Sequence, residues 1–123
     1  MVLTACGTPV PEVATKDPVS YAQHLEPLVI AHCMSCHDSE EAKGKLVLDP
    51  GVGYGRLVGP KSIQDTEMAL VEPGDPDRSY LWLKLQHLTE EGKGMPRTLT
   101  GSKKLRESEL ELYRRWIEGG ARP

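Results

Sequence analysis

The chain has 123 residues, of which 38% are hydrophobic, and its formal net charge is −3 at pH 7. This length fits one domain of the commonest size, and the weakly acidic balance argues against nucleic acid as a partner, since neutralising phosphates requires a clustered basic face. With 12 glycines, 10 prolines and no phenylalanine, the apolar core is expected to be thin, which favours a disulfide, a metal or a prosthetic group in the interior.

Residues 1–18 are predicted to form a tether outside the folded domain, which is expected over 19–123. The stretch LTAC, which ends at Cys6, resembles the lipobox of bacterial lipoprotein signal peptides and predicts a lipid on that cysteine. Residues 7–18 contain three prolines and few bulky apolar groups, as an extended linker does. No run approaches the roughly 18 apolar residues of a membrane span, so any membrane attachment is expected through Cys6.

The first helix is predicted from residues that recur at helical spacing, namely Tyr21, Leu25, Leu28, Val29 and His32. Asp17 or Ser20 is a suitable cap for its start. Pro27 lacks an amide donor and disfavours a helical conformation for the residue before it, so the helix is expected either to be kinked or to begin near Pro27. In both cases its C-terminal end delivers the cysteines that follow.

The sequence CMSCH comes directly after this helix and contains Cys33, Cys36 and His37. Cysteines three residues apart lie on one helix face, so both sulfurs can reach the two vinyl groups along one edge of a porphyrin. The histidine that follows is then placed under the ring, where it can bind the iron. This pattern is the c-type haem attachment signature, and it predicts one covalently bound haem c.

Two other uses of the cysteine pair fit less well. A thioredoxin-like redox pair requires a preceding strand in a βαβ unit, which the pattern does not predict. A zinc site requires a second pair of ligands, but the remaining histidines, His24, His32 and His87, are scattered and no second CxxC occurs.

The segment after the motif is expected to form the wall of the haem pocket. Leu46 and Leu48, in the stretch KLVLD, are predicted to line this pocket. The glycine-rich stretch GVGYG at 51–55 lacks the Gly-Lys-Ser/Thr ending of a phosphate loop and a βαβ frame. It is predicted to be a turn-rich loop against the porphyrin, which glycines allow the backbone to approach closely.

A middle helix is predicted to begin with Asp75 as N-cap and Pro76 at the first helical position, with Asp77 complementing the helix dipole. Its apolar face contains Leu81, Leu85 and Leu88. A last helix is predicted over about 107–118, ending at Gly119-Gly120. Its apolar stripe comprises Leu110, Leu112, Tyr113, Trp116 and Ile117.

The sixth ligand of the iron decides between electron transfer and small-molecule chemistry. Met34, His24 and His32 belong to the segment that supplies His37 and are expected on the proximal side, which leaves three candidates, Met68, Met95 and His87. Met95 lies in a glycine-bracketed loop and is followed by Pro96, and such a loop can place a thioether over the distal face. Met95 is therefore the predicted distal ligand and Pro96 a pocket residue, with His87 as the main rival.

The chain from Lys93 to Arg106 carries five basic side chains and no acidic one. A basic rim beside the Met95 loop would steer an acidic redox partner to the haem edge. An ordinary solvated loop explains the same charges equally well.

Several stretches together resemble small monohaem cytochrome c domains of exported bacterial proteins, over roughly residues 19–121. The resemblance is carried by YAQHLEPLVIAHCMSCH, AKGKLVLD, YGRLVG, VEPGDPDRSYLWLKL, GKGMP and LRESELELYRRWIEGGA. It implies an all-α fold of about three to five helices around one haem, joined by long Gly/Pro-rich loops. It also implies thioethers at Cys33 and Cys36, His37 as proximal ligand and Met95 as distal ligand.

Two features depart from that family. Its last helix is usually capped by Ser or Thr, where this chain has Arg106, so Ser108 is an alternative cap that would start the helix later. The Gly-Pro-x-Leu stretch that supports the proximal histidine in many class I cytochromes is not recognisable after His37. The acceptor for the ring N–H of His37 therefore stays open.

The resulting prediction is an electron carrier rather than an enzyme, located in the periplasm or on the cell surface and expected to be a monomer. Its predicted partners are redox proteins and, through Cys6, a membrane. The main alternative is a haem-based sensor or peroxidase-like domain with a labile or histidine distal ligand. A second alternative is an interaction module in which haem is purely structural.

Overall fold

In a computed structural model, the residues described are 10–33, 46–62, 67–87, 97–98, 101–102 and 105–123. They form four α-helices, α1 (Glu26–His32), α2 (Gly53–Leu57), α3 (Tyr80–Leu85) and α4 (Glu107–Glu118). A π-helical turn at Tyr21–Leu25 precedes α1, and a 3-10 turn at Pro76–Arg78 precedes α3. Two short antiparallel strands, β1 (Arg97–Thr98) and β2 (Gly101–Ser102), pair Arg97 with Ser102 and Thr98 with Gly101. The described part is thus small and mostly helical, as an all-α fold requires.

The first helix changes its winding next to Pro27, as the sequence predicts. The π-helical turn is capped by Ser20, whose hydroxyl accepts from the amide of Gln23. Regular α-helical winding begins at Glu26, with Pro27 inside the first turn, where its missing N–H leaves no hydrogen bond unmade. The helix ends at His32, and Cys33 occupies the C-cap position.

Helix α4 has the predicted bounds and packs against the π-helical turn, the 3-10 turn and α3. Its N-cap is Arg106 rather than Ser108, so the helix does not start late. The carboxylate of Glu109 accepts a hydrogen bond from the backbone N–H of Arg106 at 3.0 Å. This bond satisfies the backbone amide of the N-cap residue, which has no partner within the helix. At the other end Gly119 is the C-cap and Gly120 has φ 104°, a backbone conformation that glycine adopts without strain.

The core contains an aromatic cluster of Tyr21, Tyr54 and Trp116. The ring of Trp116 lies 5.5 Å from that of Tyr21 and 6.4 Å from that of Tyr54 between centroids, and Trp116 is fully buried. Its indole N–H donates to the carbonyl of Arg122 at 2.8 Å. Trp116 is therefore a core residue that packs on the first helical segment.

The predicted middle helix is interrupted at Ser79. Asp75 and Pro76 begin a 3-10 turn, and the α-helix starts only at Tyr80 because Ser79 has extended backbone angles. The buried Ser79 hydroxyl accepts from the amide of Glu72 at 2.8 Å and donates to the carbonyl of Asp75 at 2.9 Å. These hydrogen bonds to the preceding loop hold Ser79 in an extended conformation, although the local sequence favours a continuous helix. Leu81 and Leu85 face the core as predicted, whereas Leu88 lies outside the described residues.

The glycine-rich stretch at 51–55 is only partly the loop that the sequence predicts. Gly51 and Val52 form a turn, but Gly53 begins the short helix α2. Gly53 is buried, and a Cβ there would lie 2.5 Å from the hydroxyl oxygen of Tyr21. The glycine therefore allows close packing of α2 on the aromatic cluster.

The described part of the predicted tether lies along α4. The guanidinium of Arg115 donates to the carbonyls of Val13, Ala14 and Asp17 at 2.8, 2.7 and 3.1 Å. Val10 and Val13 pack against the core, so this part of the segment is in contact with the domain. None of the helices formed by the described residues has the length and apolar run that a bilayer crossing requires.

Candidate functional site

Cys33 is the one residue of the predicted CMSCH site that the structure describes. Its amide donates to the carbonyl of Val29 at 2.8 Å, which fixes the cysteine at the end of α1. The residue is half-buried and packs against the core. Four other predicted site residues, Cys36, His37, Met95 and Pro96, lie outside the described residues.

The two predicted pocket leucines belong to the same core as Cys33. Leu48 is 4% exposed, and its side chain lies close to Gly53. Leu46 is half-buried and packs on the edge of the core. Both are therefore apolar residues placed to exclude water, which is the property that a porphyrin wall needs.

Two tyrosine hydroxyls lie buried near Cys33. Tyr113 is 1% exposed and Tyr21 is 3% exposed. The hydroxyl of Tyr113 interacts with the side chain of Cys33, and the hydroxyl of Tyr21 has no hydrogen-bond partner within the part of the chain that the structure describes. Burial raises the pKa of the Tyr113 hydroxyl well above its usual range, with Cys33 as the next cause. Burial also raises the pKa of Tyr21, with smaller contributions from Glu26 and Cys33. Cys33 thus shares a low-polarity environment with both hydroxyls.

A buried charged group, Glu109, connects the end of α1 to the start of α4. Its carboxylate is 2% exposed, and its Oε2 lies 2.7 Å from Nε2 of His32, the residue just before Cys33. The pair is close enough for an ion pair, although the ring N–H is not aligned for a hydrogen bond. On the other carboxylate oxygen, Oε1, Glu109 accepts from the backbone N and from Nε of Arg106 at 3.0 and 3.1 Å.

The electrostatics of Glu109 favour its ionised form. Burial alone would raise the pKa of this carboxyl, but the hydrogen bonds from Arg106 and the neighbouring His32 outweigh burial and hold the pKa below its ordinary value. Glu109 therefore keeps a negative charge inside the protein, next to the residue that precedes the first cysteine of the motif.

Most buried polar atoms near Cys33 pair with one another. Nε2 of His32 and Oε2 of Glu109 lie 2.7 Å apart, and the hydroxyl of Tyr113 interacts with Cys33. The hydroxyl of Tyr21 has no hydrogen-bond partner within the described ranges. This hydroxyl and the apolar side chains of Leu46 and Leu48 are what the described residues offer to a haem held by Cys33. Among the residues described, no cluster of three or more His, Cys, Asp or Glu side chains forms a metal site from protein groups alone.

Three other candidate ligands, His24, His87 and Met68, are described, and Met95 is not. The ring of His24 is held by its own turn, because Nδ1 accepts from the amide of Ser20 at 2.8 Å. His87 follows α3 with φ 60° and is half-buried. Met68 is half-buried in an irregular segment. The choice between Met95, Met68 and His87 therefore stays a prediction.

Sequence reasoning missed the role of Glu109 and the meeting of His32 with it. An acidic residue three positions after the helix N-cap is a known capping signal, and this signal identifies Glu109 as a cap. No local signal shows that the same carboxylate also meets His32 from α1. No family model, curated protein or solved structure matches this chain.

Proposed function

We propose that this protein is a monohaem c-type cytochrome that carries one electron at a time outside the cytoplasm. In this proposal Cys33 and Cys36 hold the porphyrin through thioethers, His37 is the proximal ligand and Met95 is the distal ligand. The strongest support is the position of Cys33, which is the C-cap of α1 and packs half-buried against the apolar core. An α-helical approach to the motif is also what attachment of two cysteines to one porphyrin edge needs.

The haem supplies a one-electron change between ferric and ferrous iron, which the side chains of this chain do not offer. In this proposal the described residues hold Cys33, the attachment point, and exclude water from it. The amide of Cys33 is bonded to Val29, and the core residue Leu48 is buried. A rigid, apolar setting of this kind limits reorganisation when an electron arrives.

The location and partners belong to the same proposal. Covalent haem attachment and a lipid on Cys6 both imply export, so the protein is proposed to act in the periplasm or on the cell surface, with redox proteins as partners. Of the basic residues 93–106 that are proposed to steer a partner, Arg106 is in contact with Glu109.

Haem attachment is tested by the mass of the denatured chain. The purified protein is expected to retain one haem after denaturation, because thioether bonds survive unfolding. The double variant Cys33→Ala, Cys36→Ala is expected to lose it, while Cys6→Ala is the matched control that removes the third cysteine and keeps the haem. A native chain whose mass lacks haem after expression with a haem-attachment system would overturn the proposal.

The distal ligand is tested by absorption spectroscopy of the oxidised protein. A sulfur-to-iron charge-transfer band in the near infrared is expected at neutral pH and is expected to disappear in Met95→Ala. Met68→Ala is the matched control and is expected to retain the band. If the band is absent in the native protein and only His87→Ala changes the spectrum, the iron has two histidine ligands and Met95 is excluded.

The electron-transfer role is separated from the alternatives by kinetics. A carrier is expected to exchange electrons rapidly with small redox proteins and to be unreactive towards peroxide and carbon monoxide. Fast binding of such small molecules to the native protein would instead indicate a sensor or peroxidase-like site. A haem that exchanges electrons with no soluble redox protein would indicate a structural role.

A further inference from the structure

We propose that residues 10–18 form a docked strap that fixes how the domain stands on a lipid bilayer. The surface that faces the bilayer is the Arg106 end, meaning the part of the domain at the start of α4. This inference rests on the lipid that the proposed function places on Cys6, and it is independent of the haem.

The strap is bound to the domain through its backbone and through two apolar side chains. The guanidinium of Arg115 donates to three of its backbone carbonyls, those of Val13, Ala14 and Asp17. A charged donor makes these bonds stronger than bonds between neutral groups. Val10 and Val13 are half-buried and pack against the core. The strap is therefore part of the domain rather than a free linker.

The strap runs alongside α4 in the same direction as the helix. Residues 10–13 share a cleft with Arg106 and Ser108 near the start of α4. Residues 15–19 share a second cleft with Glu118 at the end of the helix. The part of the chain that leads to Cys6 therefore joins the strap at the Arg106 end of the domain.

Docking of the strap limits the orientations that a lipid anchor allows. Cys6 is four residues from Val10, and four residues span at most about 14 Å. Helix α4 has 12 residues and is about 18 Å long. A domain standing on the end of α4 at Glu118 would hold Val10 about one helix length above the bilayer, which four residues do not reach. The Arg106 end must therefore face the membrane.

A free strap would not select an orientation. The flexible part would then extend from Cys6 to Val19, which is buried in the core, and 13 residues span at most about 45 Å. That length exceeds α4 and permits either end to face the bilayer. The orientation thus depends on the contacts of the strap with α4.

The Arg106 end has the surface of a group that faces lipid headgroups without inserting among the lipid tails. Arg106, Glu107 and Ser108 are exposed there, and the two charged side chains have opposite signs. Such a surface gives little attraction to anionic lipids. The partner is therefore a bilayer of any headgroup charge, and phosphatidylcholine vesicles are a suitable probe.

Docking of the strap is tested by trypsin cleavage after Lys16, which is exposed on the strap. Cleavage needs the strap to open, so its rate follows the open population. Arg115→Ala is expected to raise this rate about 5- to 30-fold, and Arg114→Ala is the matched control with no expected change. The double variant Val10→Ser, Val13→Ser is expected to have the same effect as Arg115→Ala while leaving α4 unchanged. Slow cleavage after Arg114 in this double variant shows that the domain stays folded.

The orientation is tested by energy transfer from the lipidated full chain to an acceptor lipid in phosphatidylcholine vesicles. A donor fluorophore is coupled to a non-natural residue in place of Glu107 or of Glu118. Each chain is measured with and without acceptor lipid, so quenching inside the protein is common to both measurements. The fluorophore at position 107 is expected to lie closer to the bilayer, by up to about 16 Å. This difference is expected to disappear in the Val10→Ser, Val13→Ser variant.

The outcomes separate this inference from the proposed function. Equal cleavage rates after Lys16 in the native protein and in the variants overturn the docked strap. Equal energy transfer from the two positions of the lipidated native chain overturns the orientation and leaves the membrane location intact. A Cys6 that carries no lipid by mass spectrometry overturns the membrane location and the orientation together, whereas a chain without haem overturns the cytochrome alone.

Discussion

The C-terminal end of α4 and the part of the helix before it both bury large side chains, but they differ in how their polar groups are bonded. At the C-terminal end, the indole N–H of Trp116 and the guanidinium of Arg115 each donate to backbone carbonyls. Earlier in the helix, Oε2 of Glu109 lies 2.7 Å from Nε2 of His32, and the hydroxyl of Tyr113 interacts with the side chain of Cys33.

The difference separates a structural end of the helix from a part that contacts the candidate site. Hydrogen bonds to backbone carbonyls contribute modestly to stability, and those of Trp116 and Arg115 attach α4 to residues near the two ends of the described chain. The contacts of Glu109 and Tyr113 instead connect α4 to His32 and Cys33, where α1 ends.

The largest expected effect on stability comes from removing the side chain of Trp116 at the C-terminal end of α4. Trp116→Ala is expected to lower the free energy of unfolding by about 3 to 5 kcal/mol, because it leaves a large cavity in the core. Guanidinium unfolding of the purified protein measures this. Trp116→Phe, which keeps most of the apolar volume, is expected to cost less. A loss below about 1 kcal/mol for Trp116→Ala would contradict the assignment of this end as the main source of stability.

The next effect concerns the bonds between Arg115 and the segment at residues 13–17. Arg115→Ala removes three hydrogen bonds to backbone carbonyls and is expected to cost about 1 to 3 kcal/mol. Arg114→Ala is the matched control on the same helix, where exposed pairs with Glu111 and Glu118 are expected to contribute less than about 1 kcal/mol. Equal losses in the two variants would show that the segment is not held by Arg115.

Deleting single hydroxyls compares the two kinds of buried polar group directly. Tyr54 Oη donates to the carbonyl of Ala121 at 2.7 Å, so Tyr54→Phe is expected to cost about 1 kcal/mol in unfolding free energy. Tyr113→Phe removes a hydroxyl whose interaction is with the weakly hydrogen-bonding side chain of Cys33 and is expected to change the free energy of unfolding by less than about 0.5 kcal/mol. The comparison fails if Tyr113→Phe is the more destabilising of the two.

The smallest expected effect is the pH dependence contributed by Glu109. Its pKa in the folded protein lies below the ordinary value of 4.5, so its stabilising contribution is complete above that value and is lost as pH falls through the folded pKa. Unfolding midpoints measured from about pH 5 down to about pH 3 are expected to fall less steeply in Glu109→Gln than in the native protein. Glu111→Gln, on the exposed face of α4, is expected to change this slope less because solvent screens its ion pairs.

Local features of the fold were predictable wherever short-range chemistry decides them. The bounds of α4 follow from its apolar stripe and from Gly119, and the change in winding near Pro27 follows from the missing amide donor. The break at Ser79 was not predictable, because its hydroxyl bonds to a loop seven residues earlier. Cys36, His37, Met95 and Pro96 lie outside the described residues, so their expected roles stay predictions.

The sequence by itself determined that a helix leads into the CMSCH motif and that one amphipathic helix follows near the end of the chain. These conclusions depend on spacing and capping, which act over a few residues. Only the tertiary structure decided that Glu109 meets His32 and that Arg115 holds residues 13–17. Such pairs join segments far apart in the chain, and they form because packing of the helices brings them together in a medium of low polarity.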